Sequence, residues 1–379
     1  MRVYLDNAAT TPMAPEVIAA MVDVYQENFG NASSTHYYGR NSKALLETSR
    51  RSIAAWLNCH SSELIFTSGG TEADNMALLT AVEDLGVKRI ITTKIEHHAV
   101  GHTAEAIHKK YGTTITYLSV DSFGHIDLSE LSEHLADKIP TLVSLMHANN
   151  EIATLIPIKA VAKICRENGA YFHSDTVQTM GHYSFDLKEL DIDFITCAAH
   201  KFHGPKGVGF LYVNKATKVA PFIFGGSQER GLRGGTENIA GIVGLAKAFD
   251  LAYDNLAVHQ AHVRGLKAYM IEQLTATIPG VSFHGETSND KALYTVLNVC
   301  FPPTEKASMV LFTLDLKGIA ASGGSACSSG ATTGSHVLSG IKADMSRPNV
   351  RFSFSHYTTK EEIDYTIEQV NNVFQTILV

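Results

Sequence analysis

A rhythm of elements constrains this chain more than any other feature. From about residue 16 to 250, strand-like runs at 63–67, 89–95, 114–120, 141–147, 171–175, 194–199 and 207–213 alternate with amphipathic segments, among them Glu16 to Glu27, Ser42 to Leu57, Leu128 to Ala136 and Ile158 to Asn168. Strands separated by helices pair in parallel, with the helices covering the sheet faces. The expectation is an α/β fold with a mainly parallel seven-stranded sheet. After a long helical stretch near 236–278 the pattern changes. Strand-like Tyr294 to Phe301 and Val350 to Ser355 flank a Gly/Ser-rich segment, and Thr359 to Leu378 reads as a closing amphipathic helix, which predicts a smaller α+β C-terminal domain. A chain of 379 residues exceeds the ~250–300 at which single cores stop growing. The expected division is a large domain over 16–252 and a small one made of 1–15 and 253–379.

Composition removes several function classes. Apolar residues make up 45%, charged ones 18%, and the net charge is −7, so there is no basic field for nucleic acid. No stretch approaches a membrane span, and Met1 to Pro12 has no charged region followed by a long apolar one, so a cytoplasmic protein is expected. The five cysteines are scattered without a CxxC, which argues for reduced thiols. The histidines show no HExxH or Cys/His ligand spacing, so no metal site is expected.

Lys201 lies in the short gap between two β-branched, aromatic-rich runs, which puts an amine at a strand edge. Taken alone, a lysine there is usually a solvated loop residue. Its company changes that reading. The run Tyr171-Phe172-His173 ends in Ser174-Asp175, bringing a carboxylate to another strand end, with Gln178 just beyond. Upstream, strand-like Glu63 to Thr67 turns through Ser68-Gly69-Gly70-Thr71-Glu72 into a helix beginning at Ala73. Backbone N–H groups at such a start, freed from Cβ hindrance by two glycines, suit a phosphate. A phosphate cradle, an acid for a pyridine nitrogen and an amine for a Schiff base are what pyridoxal phosphate needs. Ligands of open α/β sheets collect at strand ends.

One thiol stands apart. Ala321 to Gly334 surrounds Cys327 with small residues, so this cysteine is expected to be accessible and mobile on a loop spanning about 321–335. Cys165, Cys197 and Cys300 lie in apolar runs and read as small core hydrophobes, while Cys59 has no evident partner.

Eight strings then occur in one order: Tyr4 to Thr11, Gly30 to His36, Thr67 to Asn75, Ile95 to His97, His147 to Glu151, His173 to Asp175, His200-Lys201 and Ser325 to Cys327. Together they resemble the cysteine desulfurases of the NifS/IscS type, class V aminotransferase-like pyridoxal-phosphate enzymes of fold type I. The resemblance runs nearly end to end. It implies that Lys201 forms the Schiff base and shuttles protons, that Asp175 pairs with the pyridine nitrogen, and that His97 stacks on the ring and helps move protons. Gln178 and Asn150 match residues at the cofactor's phenolic oxygen and the substrate side, where Asn31 is also expected. Gly70, Thr71 and His200 match the phosphate cup. Thr236 matches a threonine reaching a phosphate across a subunit interface, which implies a homodimer. Arg351 matches the arginine that grips the substrate carboxylate, a task for a bidentate fork. The implied reaction takes sulfur from L-cysteine, giving L-alanine and a persulfide on Cys327, for an iron-sulfur scaffold or another sulfur-acceptor protein.

Three departures from the family pattern stand out. Ala198 replaces a serine of the phosphate cup, Ala331-Thr332-Thr333-Gly334 replaces a Glu-Pro pair after the nucleophile, and Val379 follows the last helix without an extended tail. The first implies lower cofactor affinity, and the last leaves the acceptor open. A selenocysteine lyase could use the same residues, and a class V aminotransferase would share all but Cys327. A catalytically silent assembly scaffold would have no need of Lys201, Asp175, His97 and Cys327 together.

Overall fold

The computed structural model describes residues 1–288, 290–304, 307–323 and 334–377. The chain opens with a short strand, β1 (Val3–Tyr4), and two helices, α1 (Pro15–Glu27) and α2 (Tyr37–Trp56). The alternation follows: β2 (Leu64–Thr67), α3 (Gly70–Glu83), β3 (Arg89–Thr93), α4 (His98–Tyr111), β4 (Thr114–Leu118), α5 (Leu128–Leu135), β5 (Thr141–Ser144), α6 (Ile158–Asn168), β6 (Tyr171–Asp175), β7 (Phe194–Ala198) and β8 (Gly209–Val213).

Strands β2 to β8 form one seven-stranded sheet in the order β2-β8-β7-β6-β5-β3-β4. β8 runs antiparallel to both its neighbours and the other pairings are parallel. Every residue of β3, β5, β7 and β8 is buried, as helices on both faces require. Successive residues point to opposite faces. Ile91, Val143, Phe172 and Ile195 therefore pack with Val17, Ile53, Val161 and Leu245 of the helices on one side. Ile90, Leu142 and Phe194 pack with Ala77 and Val100 on the other. Cys165 and Cys197 sit in the first of these layers, as their apolar surroundings predicted.

Several elements differ from the sequence expectation. The stretch near 236–278 is two helices, α7 (Ile239–Asp254) and α8 (Leu256–Thr277), because Asn255 leaves helical geometry at φ −111°, ψ 11° and its N–H closes α7. Helix α3 begins at Gly70, ahead of Ala73, since a first turn uses few intrahelical N–H groups and tolerates a poor helix former. α4 carries three histidines and was not singled out by pattern, yet it buries Val100, Ala104 and Ile107 at helical spacing.

The remaining elements are β9 (Ser282–His284), β10 (Val296–Cys300), α9 (Val310–Leu316), β11 (Ile319–Ala320), α10 (His336–Gly340), β12 (Asn349–Ser353) and α11 (Lys360–Ile377). β12, β10 and β9 form an antiparallel sheet, and β1 pairs parallel with β11. Val3 and Leu5 share a core with Leu266, Met270, Leu297, Phe352 and Ile363. The two ends of the chain therefore meet. The N–H of Ser353 donates to the Leu5 carbonyl at 2.7 Å, and the Asn7 side chain donates to the Ser353 carbonyl at 2.8 Å. That junction fixes residues 6 to 11 beside the ends of β6 and β7.

Candidate active site

A cavity of about 250 Å³ opens where these strand ends converge. Its lining includes Gly70 and Thr71 from α3, Asp175 from β6, His200 and Lys201 after β7, and Arg351 from β12. His97, Asn150 and Gln178 complete the set, so nine residues expected at one site from the sequence face one space. A second cavity, about 260 Å³, is lined by four histidines, Glu16 and a mix of apolar and neutral polar residues, with no lysine among its described lining.

The turn from β2 into α3 depends on glycine. Gly69 takes φ +150°, a region that side chains rarely adopt, and a Cβ on Gly70 would meet Val177 Cγ2 at 2.8 Å. No side chain caps α3. Its first N–H groups and the positive end of its dipole are thus left to the cavity, the arrangement that binds phosphates. Glu72 is turned away, accepting from the Ser68 N–H at 2.8 Å and pairing with Arg233 Nε at 2.8 Å.

Lys201 Nζ donates to the carbonyls of Ala8 at 2.6 Å and Ala9 at 2.9 Å. Gln178 Nε2 donates to the same Ala8 carbonyl at 3.0 Å. The N-terminal segment is therefore a wall of the site. His200 is fixed through it too, with Nδ1 3.1 Å from Thr10 Oγ1. Burial, and then the charge of Lys201, pull the His200 pKa down to about 4.

Asp175 is almost fully buried, and its Oδ1 accepts the Val177 N–H at 2.9 Å. Burial, then the neighbouring Asp74, raise its pKa to about 7. A carboxyl group in that state is poised for a cationic partner. His97 N-caps α4 through Nδ1, which accepts the Ala99 N–H at 3.1 Å. Burial and Lys201 lower its pKa to about 4, so the ring is neutral at pH 7 and its one proton sits on Nε2.

Arg351 is 1% exposed. Nη1 donates to the Asn150 carbonyl and Nη2 to Asp6 Oδ1, both at 2.9 Å, while Nε has no hydrogen-bond partner among the described residues. The buried Asn150 Oδ1 also has none. Both atoms await a ligand with matching polarity.

Some expected residues lie elsewhere. Thr236 lines a different cleft, with Phe66, Glu229 and Arg233. Asn31 is exposed and accepts the Ser33 N–H at 2.9 Å. Cys327 lies outside the described residues. Ser335, just beyond that segment, N-caps α10 and donates to Glu151 Oε2, and the neighbouring His336 lines the cavity with its ring 4.4 Å from that of His98. Sequence reasoning missed Asp6, Asp74, Glu151, His98 and His336. Asp6, Asp74 and Glu151 lie inside three of the eight strings, Tyr4 to Thr11, Thr67 to Asn75 and His147 to Glu151, and acids within such strings are the signal that could have flagged them.

An amine, an acid and an open helix start therefore surround one pocket at the strand ends of an α/β sheet. The class-V aminotransferase family profile matches residues 3–366. A cysteine desulfurase IscS of Dictyoglomus turgidum is 44% identical over 379 residues, covering 99% of this chain and 95% of that protein. Among solved structures, a NifS-like protein superposes with a TM-score of 0.91 at 36% identity, covering 99% of this chain and all of that one. SspA in complex with cysteine gives a TM-score of 0.80 at 30% identity, covering 94% of this chain and all of that one. The chain belongs to the class-V aminotransferase family, and within it to the cysteine desulfurases of the IscS/NifS type.

Proposed function

We propose that this protein is a pyridoxal-phosphate-dependent enzyme that takes sulfur from L-cysteine, releases L-alanine and retains the sulfur on Cys327 as a persulfide. The observation carrying this reading is the meeting of the Lys201 amine, the Asp175 carboxyl group and the uncapped start of α3 on one cavity. The donor set fits the cofactor. Gly70, Thr71 and His200 would hold the phosphate, Asp175 would face the pyridine nitrogen, and His97 would pack on the ring. Gln178 would reach the phenolic oxygen, and Lys201 would hold the cofactor covalently. When bound, the cofactor supplies an electron sink that acidifies the Cα–H of the amino acid.

The chain's own groups do the rest. Arg351 orients the substrate carboxylate, with Asn150 beside it. Lys201 takes the Cα proton and returns one, and His97 offers the proton on Nε2. The Cys327 thiolate attacks the substrate sulfur, so that an S–S bond forms and the Cβ–Sγ bond breaks. Protons restore the carbon skeleton to alanine, and no outside oxidant or reductant enters this half of the cycle. A thiol acceptor then takes the sulfur.

The reading includes a homodimer, in which Thr236 reaches the phosphate of the partner's site. Strongly exposed Tyr25, Phe29, Tyr37 and Phe224 support a covered surface. A substrate-side role for Asn31 likewise needs a second copy beside it. It also includes an iron-sulfur scaffold or another protein as acceptor, and a cytoplasmic location. Unpaired Cys59, Cys165, Cys197 and Cys300 support a reducing compartment, and no described helix is long and apolar enough to cross a membrane. The test is product stoichiometry: L-cysteine and a reductant should yield alanine and sulfide in equal amounts, and alanine without sulfide would overturn the reading.

A further inference from the structure

Beneath the cavity lies an acid that the reaction as described leaves unused. Asp74, on α3, is 1% exposed and lines the cavity, and one polar atom each of Asp74, His97 and Asp175 lies within 4.8 Å of the other two. Two carboxylates so close, away from water, repel each other strongly, and such pairs share a proton.

The surroundings decide which member keeps it. Asp74 Oδ1 meets no geometric hydrogen-bond partner among the described residues, and the Thr196 hydroxyl is the one neutral donor that counters its burial. Its nearest cation-capable group is His173 Nε2 at 3.4 Å. That ring is spent on Ser144 Oγ at 2.8 Å and Thr196 Oγ1 at 3.1 Å, and burial lowers its pKa to about 4, so it offers no charge. Asp175, by contrast, accepts the Val177 N–H and feels the positive charge of Lys201. Glu96, the other acid facing the pair, is buried, and burial pushes its carboxyl group well up, so it brings the pair no stabilising positive charge and, protonated, no further negative one. Burial likewise raises Asp74, to about 7.

We propose that Asp74 is a positioning residue that keeps its proton at neutral pH, so that the buried pair bears a single negative charge and Asp175 holds it. Asp74 thereby reserves the Asp175 carboxylate for a cationic ring nitrogen. The inference rests on the proposed function only for the identity of the cofactor.

Infrared spectroscopy of the full-length, cofactor-free chain at pH 7, with ¹³C-carboxyl-labelled aspartate to separate Glu96, tests it without any reaction. The expected result is a label-sensitive band of protonated aspartic acid that loses intensity in Asp74→Asn, with Asp74→Ser as a second variant should the amide fold poorly. Absence of the band in the unsubstituted protein, or its full persistence in the variants, would overturn the proposal. Titration with pyridoxal phosphate adds a second readout. Asp74→Asn, a neutral isostere, should bind within about threefold of the unsubstituted chain, whereas a tenfold loss would mean that Asp74 carries charge. A chain that shows the band but binds no cofactor would sink the functional reading and leave this one standing.

Discussion

Nη2 of Arg351 lies 2.9 Å from Oδ1 of Asp6, joining the last strand of the chain to the loop after its first. With Nη1 on the Asn150 carbonyl, the guanidinium is held at two points and its plane is set before any ligand arrives. Arg351→Lys keeps a charge but loses the fork. We expect kcat/KM for L-cysteine to fall roughly 10- to 100-fold, the scale of one charge-assisted hydrogen bond, with cofactor affinity unchanged. Steady-state kinetics beside a cofactor titration would check this, and an unaltered kcat/KM would contradict it.

Ala198 is buried, lines the cavity, and its Cβ lies 3.7 Å from where a Cβ on Gly70 would stand. A hydroxyl there would face the open start of α3. Ala198→Ser should therefore tighten pyridoxal phosphate about 3- to 10-fold, the worth of one net hydrogen bond. Fluorescence-monitored titration of the cofactor-free protein measures it, and weaker binding would show that the site has no room for the group.

The stability of the cofactor-free chain should depend on pH in a direction set by the buried pair Asp74 and Asp175. Both carboxyl groups, near 3.8 when unfolded, are raised to about 7 in the fold, so between those values the folded pair holds more protons than the unfolded chain. The contribution is intact below about pH 4 and is lost as pH rises toward 7. His97 and His200, lowered to about 4, act in the opposite sense as pH rises toward 6.5. Asp175→Asn breaks the pair and leaves the histidine contributions in place. Its melting temperature relative to the unsubstituted chain should rise between pH 4 and 7, and a constant difference would refute the assignment.

Lys201→Ala should abolish both turnover and the visible absorption of the bound cofactor. If that absorption survives, another amine holds the cofactor, and Lys206, five residues on, is the first to test.

Much of this site is legible in the sequence because three of its parts sit at strand ends. Asp175 closes β6, Lys201 follows β7, and Gly70 follows β2, and because these three strands run the same way in one sheet their ends gather on one edge. Asp6, Asp74 and His336 were not readable in the same way. Asp6 reaches the site because β1 pairs with β11 and Leu5 bonds Ser353, a long-range closure with no local signature. Asp74 sits in an ordinary helical stretch and matters only through burial beside β6. His97 was expected at the site, but its tautomer follows from an N-cap bond to Ala99 that depends on where α4 begins.

The central claim is that sulfur from L-cysteine comes to rest on one named thiol. Mass measurement of the Cys327 peptide after incubation of the holoenzyme with L-cysteine tests it most directly. The account predicts a gain of about 32 Da, one sulfur atom, on that peptide, reversed by a thiol reductant. An unchanged Cys327 peptide under conditions that yield alanine, or the added mass on Cys59 instead, would contradict it.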